Sequence, residues 1–460
     1  MMPLALENHI VATSRLAVIV YAHFFNRIQG DIIMKATTRV LIALILGLLI
    51  FVSLIQQQPA AKAAPVDLSG EINGAPYRIR VPDVWSGTLL IFVHGYRDKA
   101  DHPGEVDDRT AEVAPNPALE APLLAQGFAL AGTAFKDNGW DVKDAIQDVK
   151  NLSVFFRDNV APPQRTILVA ASFGTLVGFK SMEQFGGIYD GALCLCGAGA
   201  GATRIWDSGV PIYLAYDVIF GIPPSWGTVG DVRNDIDFDT EVLAKLAPEL
   251  SNIANFPKFE FIRLVAKIPG RGLVPPPPPA FYPGWALTDF FFVTEARAEL
   301  QRRAGGPFVQ NIDQNYELLP AEKAYLAGIG LPTPVVDAWL AQMNARRDIT
   351  ADPSARNYVR SNTDFNGKIR HPILNMHTII DPLLPVANES AYAELIASQG
   401  KEDLLFQTYT TGVGHCNLTG PQVLTAIGAI DLWVRTGVRP TNAQFPAPLG
   451  FNQAFVPPPF

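Results

Sequence analysis

Three side chains that lie far apart along the chain could together carry out nucleophilic acyl transfer. Ser172 ends an apolar run in the stretch ILVAASFGTLVG, and a helical pattern begins directly after it. A serine hydroxyl is a poor nucleophile unless a neighbouring base takes its proton. His415, in the glycine-flanked stretch TTGVGHCNLT, could be that base, and Asp381 could orient its imidazole. These residue types, in this order, indicate hydrolysis through a serine nucleophile.

The residues around Ser172 predict a strand that turns sharply into a helix. Residues 166–171 read as a buried strand, and a helix is expected from about residue 173. Such a turn lifts the hydroxyl above the sheet, and the free N–H groups of the helix start could stabilise an oxyanion. An ordinary serine in a strand-to-helix turn is the alternative that a five-residue match alone leaves open.

Three histidines follow Ser172: His371, His377 and His415. The first begins a predicted strand over residues 371–380 and the second lies inside it, whereas His415 sits in a loop after the last predicted strand. A loop there can carry an imidazole over the edge of the sheet, so His415 is the predicted base.

The predicted acid is Asp381, because it directly follows strand 371–380 at the edge where α/β sheets carry their sites. Its alternative role is to cap a turn, which the following proline favours. Glu389 and Asp403 are the other candidates for the acid.

A pair of backbone amides is expected to form the oxyanion hole. After the apolar run LLIFV the chain reads His94-Gly95-Tyr96, and the glycine would let the backbone come close to the nucleophile. The N–H groups of Tyr96 and Phe173 are the predicted donors. His94 is expected to have a structural role in the loop.

Apolar runs and amphipathic helices alternate along the chain, which predicts an α/β fold with a doubly wound, mostly parallel sheet. The alternation stops near residue 197 and resumes at 371. We therefore expect a sheet domain in two parts, over residues 64–199 and 367–440. A large and mostly helical lid, residues 200–366, is inserted between them, and a proline-rich extended tail follows over residues 441–460.

In their order and strand context, the His-Gly turn, the Ala-x-Ser-x-Gly turn at Ala170–Gly174, the late Asp381 and the final Gly-His pair resemble the α/β-hydrolase superfamily. The resemblance implies a serine hydrolase that acts on esters or, less often, amides, with no metal or organic cofactor. Cys416, directly after the histidine, is similar to tannase-like and feruloyl-esterase-like enzymes. In those enzymes this cysteine bridges to one just before the serine, where this chain has Ala171.

The chain has three cysteines: Cys194, Cys196 and Cys416. Residues two apart on a strand are about 6–7 Å apart, too far for a disulfide, so the first two cannot readily pair. Cys196 is nearer the edge where His415 is expected, which favours a Cys196–Cys416 bridge. Three free buried thiols are the alternative.

The N-terminus resembles an export signal. An apolar run over residues 40–55 follows Lys35 and Arg39 and precedes Ala61-Lys62-Ala63, which predicts a signal peptide over residues 34–63 with cleavage after Ala63. Residues 1–33 would then be an upstream extension without structural role. An uncleaved membrane anchor is the alternative. We expect a secreted protein, extracellular or periplasmic, without stable membrane association after cleavage.

The formal net charge of -8, without a Lys/Arg cluster, argues against a nucleic-acid partner.

The expected substrate is a small or polymeric ester. A peptidase of the same fold is one rival, with a lid carboxylate such as Asp289 or Glu295 holding a substrate amine. A non-catalytic binding protein is the other. The lid aromatics could line a substrate pocket or form the lid's own core: Trp206, Trp226, Phe281, Trp285, Phe290, Phe291 and Phe292.

Overall fold

The computed structural model describes residues 66–270 and 284–460. The predicted upstream extension, the signal peptide over residues 34–63 and Phe281 lie outside the described residues. Within the described ranges, no helix is both long and apolar enough to cross a bilayer.

An eight-stranded sheet organises the described chain, in the order β1-β2-β4-β3-β5-β6-β7-β8. β1 and β2 are antiparallel to their neighbours, and the strands from β4 to β8 in that order run parallel. The strands are Val66–Ile72, Ala75–Val81, Thr88–Val93, Ala129–Thr133, Arg165–Ala171, Gly191–Leu195, Ile373–Ile380 and Leu405–Val413. The mostly parallel sheet confirms the predicted fold class.

Alternate residues of the central strands enter two separate cores, one on each face of the sheet. Leu89, Ile91 and Val93 of β3 belong to one core, and Leu90 and Phe92 belong to the other. All six residues of β3 are buried, as the unbroken apolar run predicts for a strand covered on both faces.

Helices cover both faces of the sheet, as a doubly wound fold requires. α2 and α3 contribute to the first core, and α1 and α13 contribute to the second. The sheet-covering helices are α1 Glu120–Ala125, α2 Val142–Asn159, α3 Gly174–Gln184, α12 Ala387–Ser398 and α13 Gly420–Thr436.

The segment between β6 and β7 is mostly helical where it is described. A π-helical turn, Phe292–Ala296, connects α7 to α8. The α-helices of this segment are α4 Ala202–Phe220, α5 Leu243–Ser251, α6 Phe256–Val265, α7 Gly284–Phe291, α8 Arg297–Ala304, α9 Pro320–Gly328, α10 Thr333–Asn344 and α11 Pro353–Thr363.

The C-terminal tail, residues 441–460, is not simply extended as predicted. It contains two short 3₁₀ turns, Asn442–Gln444 and Ala447–Leu449. Its backbone then pairs with β8: Thr411 N donates to Gly450 O at 2.9 Å, and Asn452 N donates to Tyr409 O at 2.8 Å. The tail is therefore held against the last strand of the sheet.

Candidate active site

Ser172 lies at a strained turn between β5 and α3. Its φ of 54° is in the left-handed region, where side chains other than glycine are rarely found. Gly174 makes this turn possible, because a Cβ there would lie 2.2 Å from Val93 O and 2.5 Å from His94 O. The first turn of the helix thus packs directly on the end of β3, and the serine stands at the carboxyl edge of the sheet.

The structure brings together the three side chains that the sequence analysis selected. His415 Nε2 lies 2.7 Å from Ser172 Oγ, and His415 Nδ1 lies 2.8 Å from Asp381 Oδ2. The three residues follow β5, β7 and β8, so parallel strands deliver them to the same edge. This arrangement can take the hydroxyl proton onto the imidazole while the carboxylate orients the ring.

Asp381 is fully buried, and its second oxygen caps the turn that follows β7. Asp381 Oδ1 accepts hydrogen bonds from Leu383 N at 3.0 Å and Leu384 N at 2.9 Å. Burial raises the pKa of this carboxyl, but hydrogen bonds from His377 and His415 outweigh burial and hold the pKa well below its usual range. The carboxylate therefore stays charged at neutral pH.

The other two candidate acids lie elsewhere. Glu389 contacts His377 and not His415. Asp403 is exposed in the turn before β8, at the opposite edge of the sheet from His415.

A second buried histidine, which the sequence analysis placed only inside a strand, lies behind the aspartate. His377 Nδ1 is 2.9 Å from Glu389 Oε1, and His377 Nε2 is 2.9 Å from Leu384 O and 3.5 Å from Asp381 Oδ2. Asn375 and Gln407 donate to Glu389 Oε2, at 2.7 and 2.8 Å. Side chains alternate along strand β7, so residues 375 and 377 lie on the same face of the sheet. This alternation was the only sequence signal that could have placed Asn375 beside His377.

The two predicted oxyanion donors lie beside the serine. A Cβ on Gly95 would be 3.3 Å from Ser172 Cβ, so the backbone before Tyr96 lies close to the serine. In the described part of the chain, neither Tyr96 N nor Phe173 N donates to a protein acceptor. Both amides are thus free to donate to a ligand oxygen.

His94 has the environment of a structural residue. Its ring stacks on Phe135 with centroids 4.0 Å apart, and its Nδ1 lies 2.7 Å from Gly95 O. Burial lowers the pKa of His94 to about 4, so the ring is neutral at ordinary pH.

A disulfide joins Cys196, directly after β6, to Cys416 in the loop that carries His415. The two Cα atoms are 5.3 Å apart, and Cys416 Sγ lies 3.7 Å from His415 Nε2. Cys194 is buried and unpaired. This is the pairing that the sequence analysis favoured, and it ties the histidine loop to the neighbouring strand.

A largely apolar cavity opens beside Ser172. The space between its lining atoms, including solvent at its mouth, is about 780 Å³. One side is formed by residues near the sheet, including Tyr96, Trp140 and Phe173, and the other by the segment between β6 and β7, including Ile205, Trp206, Ile212, Asp289 and Phe292. A mainly apolar cleft with a few polar groups is typical of a small-molecule site.

The aromatic residues named from the sequence divide into two groups. Trp206 and Phe292 line the cavity. Trp226 and Phe290 are buried in the core instead, and Trp285 and Phe291 pack against it. Of the two carboxylates considered for a substrate amine, Asp289 lines the cavity, whereas Glu295 accepts a hydrogen bond from Phe238 N.

Comparisons with known proteins gave matches of low identity. No family model matches the chain. A curated relative, an o-phthalyl amidase from Xanthobacter agilis, is 23% identical over 426 residues, which span 80% of this chain and 87% of that protein. Among solved structures, feruloyl esterase B from Aspergillus oryzae matches with a TM-score of 0.43 and 15% identity over 82% of each chain. Tannin acyl hydrolase from Aspergillus niger matches with a TM-score of 0.38 and 11% identity over 82% of this chain and 79% of that one.

The order of the strands and of the site residues along the chain identifies the fold. After an antiparallel start, the strand order places β3 between β4 and β5, and the strained serine turn follows β5. The aspartate follows β7 and the histidine follows β8, in the chain order serine, acid, histidine of this fold. Because the sheet topology, the serine turn and the residue order agree, the chain has the α/β-hydrolase fold.

Proposed function

We propose that this protein is a secreted serine hydrolase that cleaves carboxylic esters through an acyl-enzyme on Ser172. The observation that supports the proposal is the continuous hydrogen-bonded path from Ser172 Oγ through His415 to buried Asp381, with distances of 2.7 and 2.8 Å. A non-catalytic binding protein would not need this path or the strained serine turn.

In the first half of the reaction, Ser172 Oγ attacks the ester carbonyl carbon while its proton passes to His415 Nε2. The amides of Tyr96 and Phe173 stabilise the oxyanion that forms. When the intermediate collapses, His415 returns the proton to the leaving alcohol, and the acyl group remains on the serine.

In the second half, water attacks the acyl-enzyme while His415 takes one of its protons. Collapse of this second intermediate releases the carboxylic acid and returns the proton to Ser172. Asp381 stays ionised throughout and offsets the positive charge of the imidazolium. The residues described here complete both halves without a cofactor.

Amide cleavage is the second candidate, and the relative named o-phthalyl amidase favours it. The same nucleophile and base serve both reactions, but an amine leaving group requires protonation more strongly than an alcohol does. Comparing p-nitrophenyl esters with the matching p-nitroanilides separates the two. Faster turnover of the anilides would replace the ester proposal with the amide one.

A fluorophosphonate probe tests the serine chemistry directly. The probe should label the wild-type protein at Ser172 and should not label Ser172→Ala. A wild-type protein that is folded and neither labels nor hydrolyses esters would contradict the proposal and favour the binding-protein alternative.

Export is tested separately, by sequencing the N-terminus of protein recovered from outside the cytoplasm. The signal pattern before Ala64 predicts that the chain begins at that residue. A start at Met1 or Met34 on membrane-bound material would favour an uncleaved anchor.

A further inference from the structure

Asp289 is a buried carboxyl group in an apolar wall of the cavity that holds Ser172. Its exposed fraction is 5%, and within the described ranges its Oδ2 has no hydrogen-bond partner. A buried polar atom without a partner is destabilising, because it has lost its hydrogen bonds to water. Its retention beside a nucleophile suggests that a ligand supplies the missing partner.

The charges around Asp289 limit what that partner can be. Burial, with a smaller contribution from the negative charge of Asp381, raises the pKa of Asp289 well above its usual range. Among the described residues that line the cavity, none is lysine or arginine. A carboxylate on the substrate would find no positive side chain among these residues, and the negative charge of Asp381 lies nearby, so an anionic group is disfavoured here.

The neighbouring rings favour a cation. Tyr96, Trp140, Trp206 and Phe292 line the same cavity. Their rings form one connected group. The centroids of Tyr96 and Phe292 are 5.2 Å apart, those of Trp140 and Trp206 are 4.8 Å apart, and those of Tyr96 and Trp140, which join the two pairs, are 6.1 Å apart. Aromatic faces attract ammonium groups, and the attraction strengthens when water is excluded.

We propose that Asp289, together with these rings, binds a protonated amine, so that the substrates of this site are esters or amides that carry a basic nitrogen. The inference rests on the proposed function, because it names what the same cavity accepts. A bound ammonium supplies the positive charge that allows Asp289 to ionise and gives its unpartnered oxygen a donor. The indole N–H groups of Trp140 and Trp206, which also lack partners in the described structure, can donate to oxygens of the same ligand.

Glu295, the other carboxylate considered from the sequence, does not share these properties. It accepts a hydrogen bond from Phe238 N and is not among the residues that line the cavity. The amine site is therefore specific to Asp289, one helical turn before the π-helical turn in which Glu295 lies.

The test compares two ligands of nearly equal shape, 2-phenylethylammonium and 2-phenylethanol. Each is measured at pH 7.5 by calorimetry on Ser172→Ala, which needs no turnover, and as a competitive inhibitor of p-nitrophenyl acetate hydrolysis by the wild-type protein. We expect the ammonium to bind at least about tenfold more tightly than the alcohol. Asp289→Asn, which keeps the shape and removes the charge, should abolish the preference.

Asp313→Asn is the matched control, because Asp313 is an exposed carboxylate in the same inserted segment. This variant should retain the preference for the ammonium. Equal binding of the two ligands by the wild-type protein, a measurement that depends on no variant of Asp289, would overturn the inference. Retention of the preference in Asp289→Asn would overturn it as well.

The two proposals fail in different ways. Ester hydrolysis and probe labelling without any preference for the ammonium would overturn this inference and leave the proposed function standing. Selective binding of the ammonium, without labelling or hydrolysis, would overturn the proposed function and support an amine-binding cavity.

Discussion

His377 and Glu389 form a fully buried pair, with His377 Nδ1 2.9 Å from Glu389 Oε1. The other ring nitrogen faces Leu384 O at 2.9 Å and Asp381 Oδ2 at 3.5 Å. Because both nitrogens face acceptors, the ring carries two protons and a positive charge. A buried cation thus lies between Glu389 and Asp381, the carboxylate that contacts His415.

Stability should fall as the pH rises above about 6.5. The unfolded chain releases the proton of His377 near that pH, whereas the folded protein keeps it until a higher pH. Burial alone would lower its pKa, but the hydrogen bonds and charges of Asp381 and Glu389 raise the pKa of His377 to about 10. The folded protein therefore holds one more proton than the unfolded chain between about pH 6.5 and 10. Its free energy of unfolding should decrease there by up to about 1.4 kcal/mol per pH unit.

Denaturant titrations of the wild-type protein and His377→Gln measure this slope, which the variant should lack. His371→Gln is the matched control, since that ring contacts the backbone oxygen of Gly186 and, among the described residues, forms no ion pair with a carboxylate. A wild-type stability that does not change from pH 7 to 10 would show that His377 is not the buried cation described here.

Ser172→Ala and His415→Ala should each lower kcat/KM for p-nitrophenyl esters by about 10⁴-fold or more. The double variant should be little worse than either single one, because the hydroxyl and its base act as a unit. Steady-state kinetics on proteins checked for unchanged circular dichroism measure these losses. Activity near the wild-type level in either variant would exclude the proposed mechanism.

Asp381→Asn should lower kcat by up to about 10⁴-fold, because an amide does not hold the imidazole in the required tautomer. Asp403→Asn should leave kcat unchanged, since Asp403 is exposed at the other edge of the sheet. Parallel kinetics on the two variants separate these effects. If Asp403→Asn were the more damaging change, the acid would have been assigned to the wrong residue.

Gly174→Ala should strongly destabilise the protein, since the new methyl group would overlap the carbonyl oxygens of Val93 and His94. Gly428→Ala should be neutral or stabilising by up to about 1 kcal/mol, because Gly428 lies within α13 and a Cβ there would meet nothing within 4 Å. Thermal unfolding of the two variants measures the contrast. Equal effects would mean that the helix does not pack on β3 so closely.

Peptide mapping of exported protein without reductant should find Cys196 linked to Cys416 and a single alkylatable thiol, Cys194, after denaturation. The bridge spans a sequence separation of 220 residues, so the chain-entropy model predicts a stabilisation of about 5 kcal/mol. Cys416→Ser should therefore lower the melting temperature, and it should also lower kcat because the loop carrying His415 loses its tie. Three alkylatable thiols in the native protein would contradict the pairing.

The strands and the turn that position Ser172 could be predicted because their sequence signals are local. Unbroken apolar runs predict β3 and β5, and small residues on both sides of Ser172 predict the sharp turn. Each of these patterns lies within about ten residues of sequence. β1 was not predicted, because five of its seven residues are exposed and only three of the seven, Val66, Leu68 and Ile72, are large and apolar. An edge strand of this kind is defined by its partner rather than by its own pattern.

The buried charges behind the site could not be predicted in the same way. Glu389 is a candidate acid for His415 by sequence, but its partner is His377, on β7 rather than in the loop after β8. Which cavity residues come from the inserted segment likewise depends on how its helices pack. Trp206 and Trp226 are both tryptophans of the inserted segment, and the sequence does not distinguish them. In the structure Trp206 lines the cavity, whereas Trp226 is buried in the core.

The tail that pairs with β8 has a consequence for self-association. β8 is the last strand of the sheet, and unpaired N–H and C=O groups on such a strand can recruit a strand from another molecule. Residues 450–452 pair with two of those groups, Thr411 N and Tyr409 O, and Phe445 stacks on Phe406 with ring centroids 5.3 Å apart. A chain shortened before Phe445 would keep every residue of the candidate site. It would also leave the backbone of the edge strand β8 exposed, and copies of the protein could aggregate by pairing along that strand.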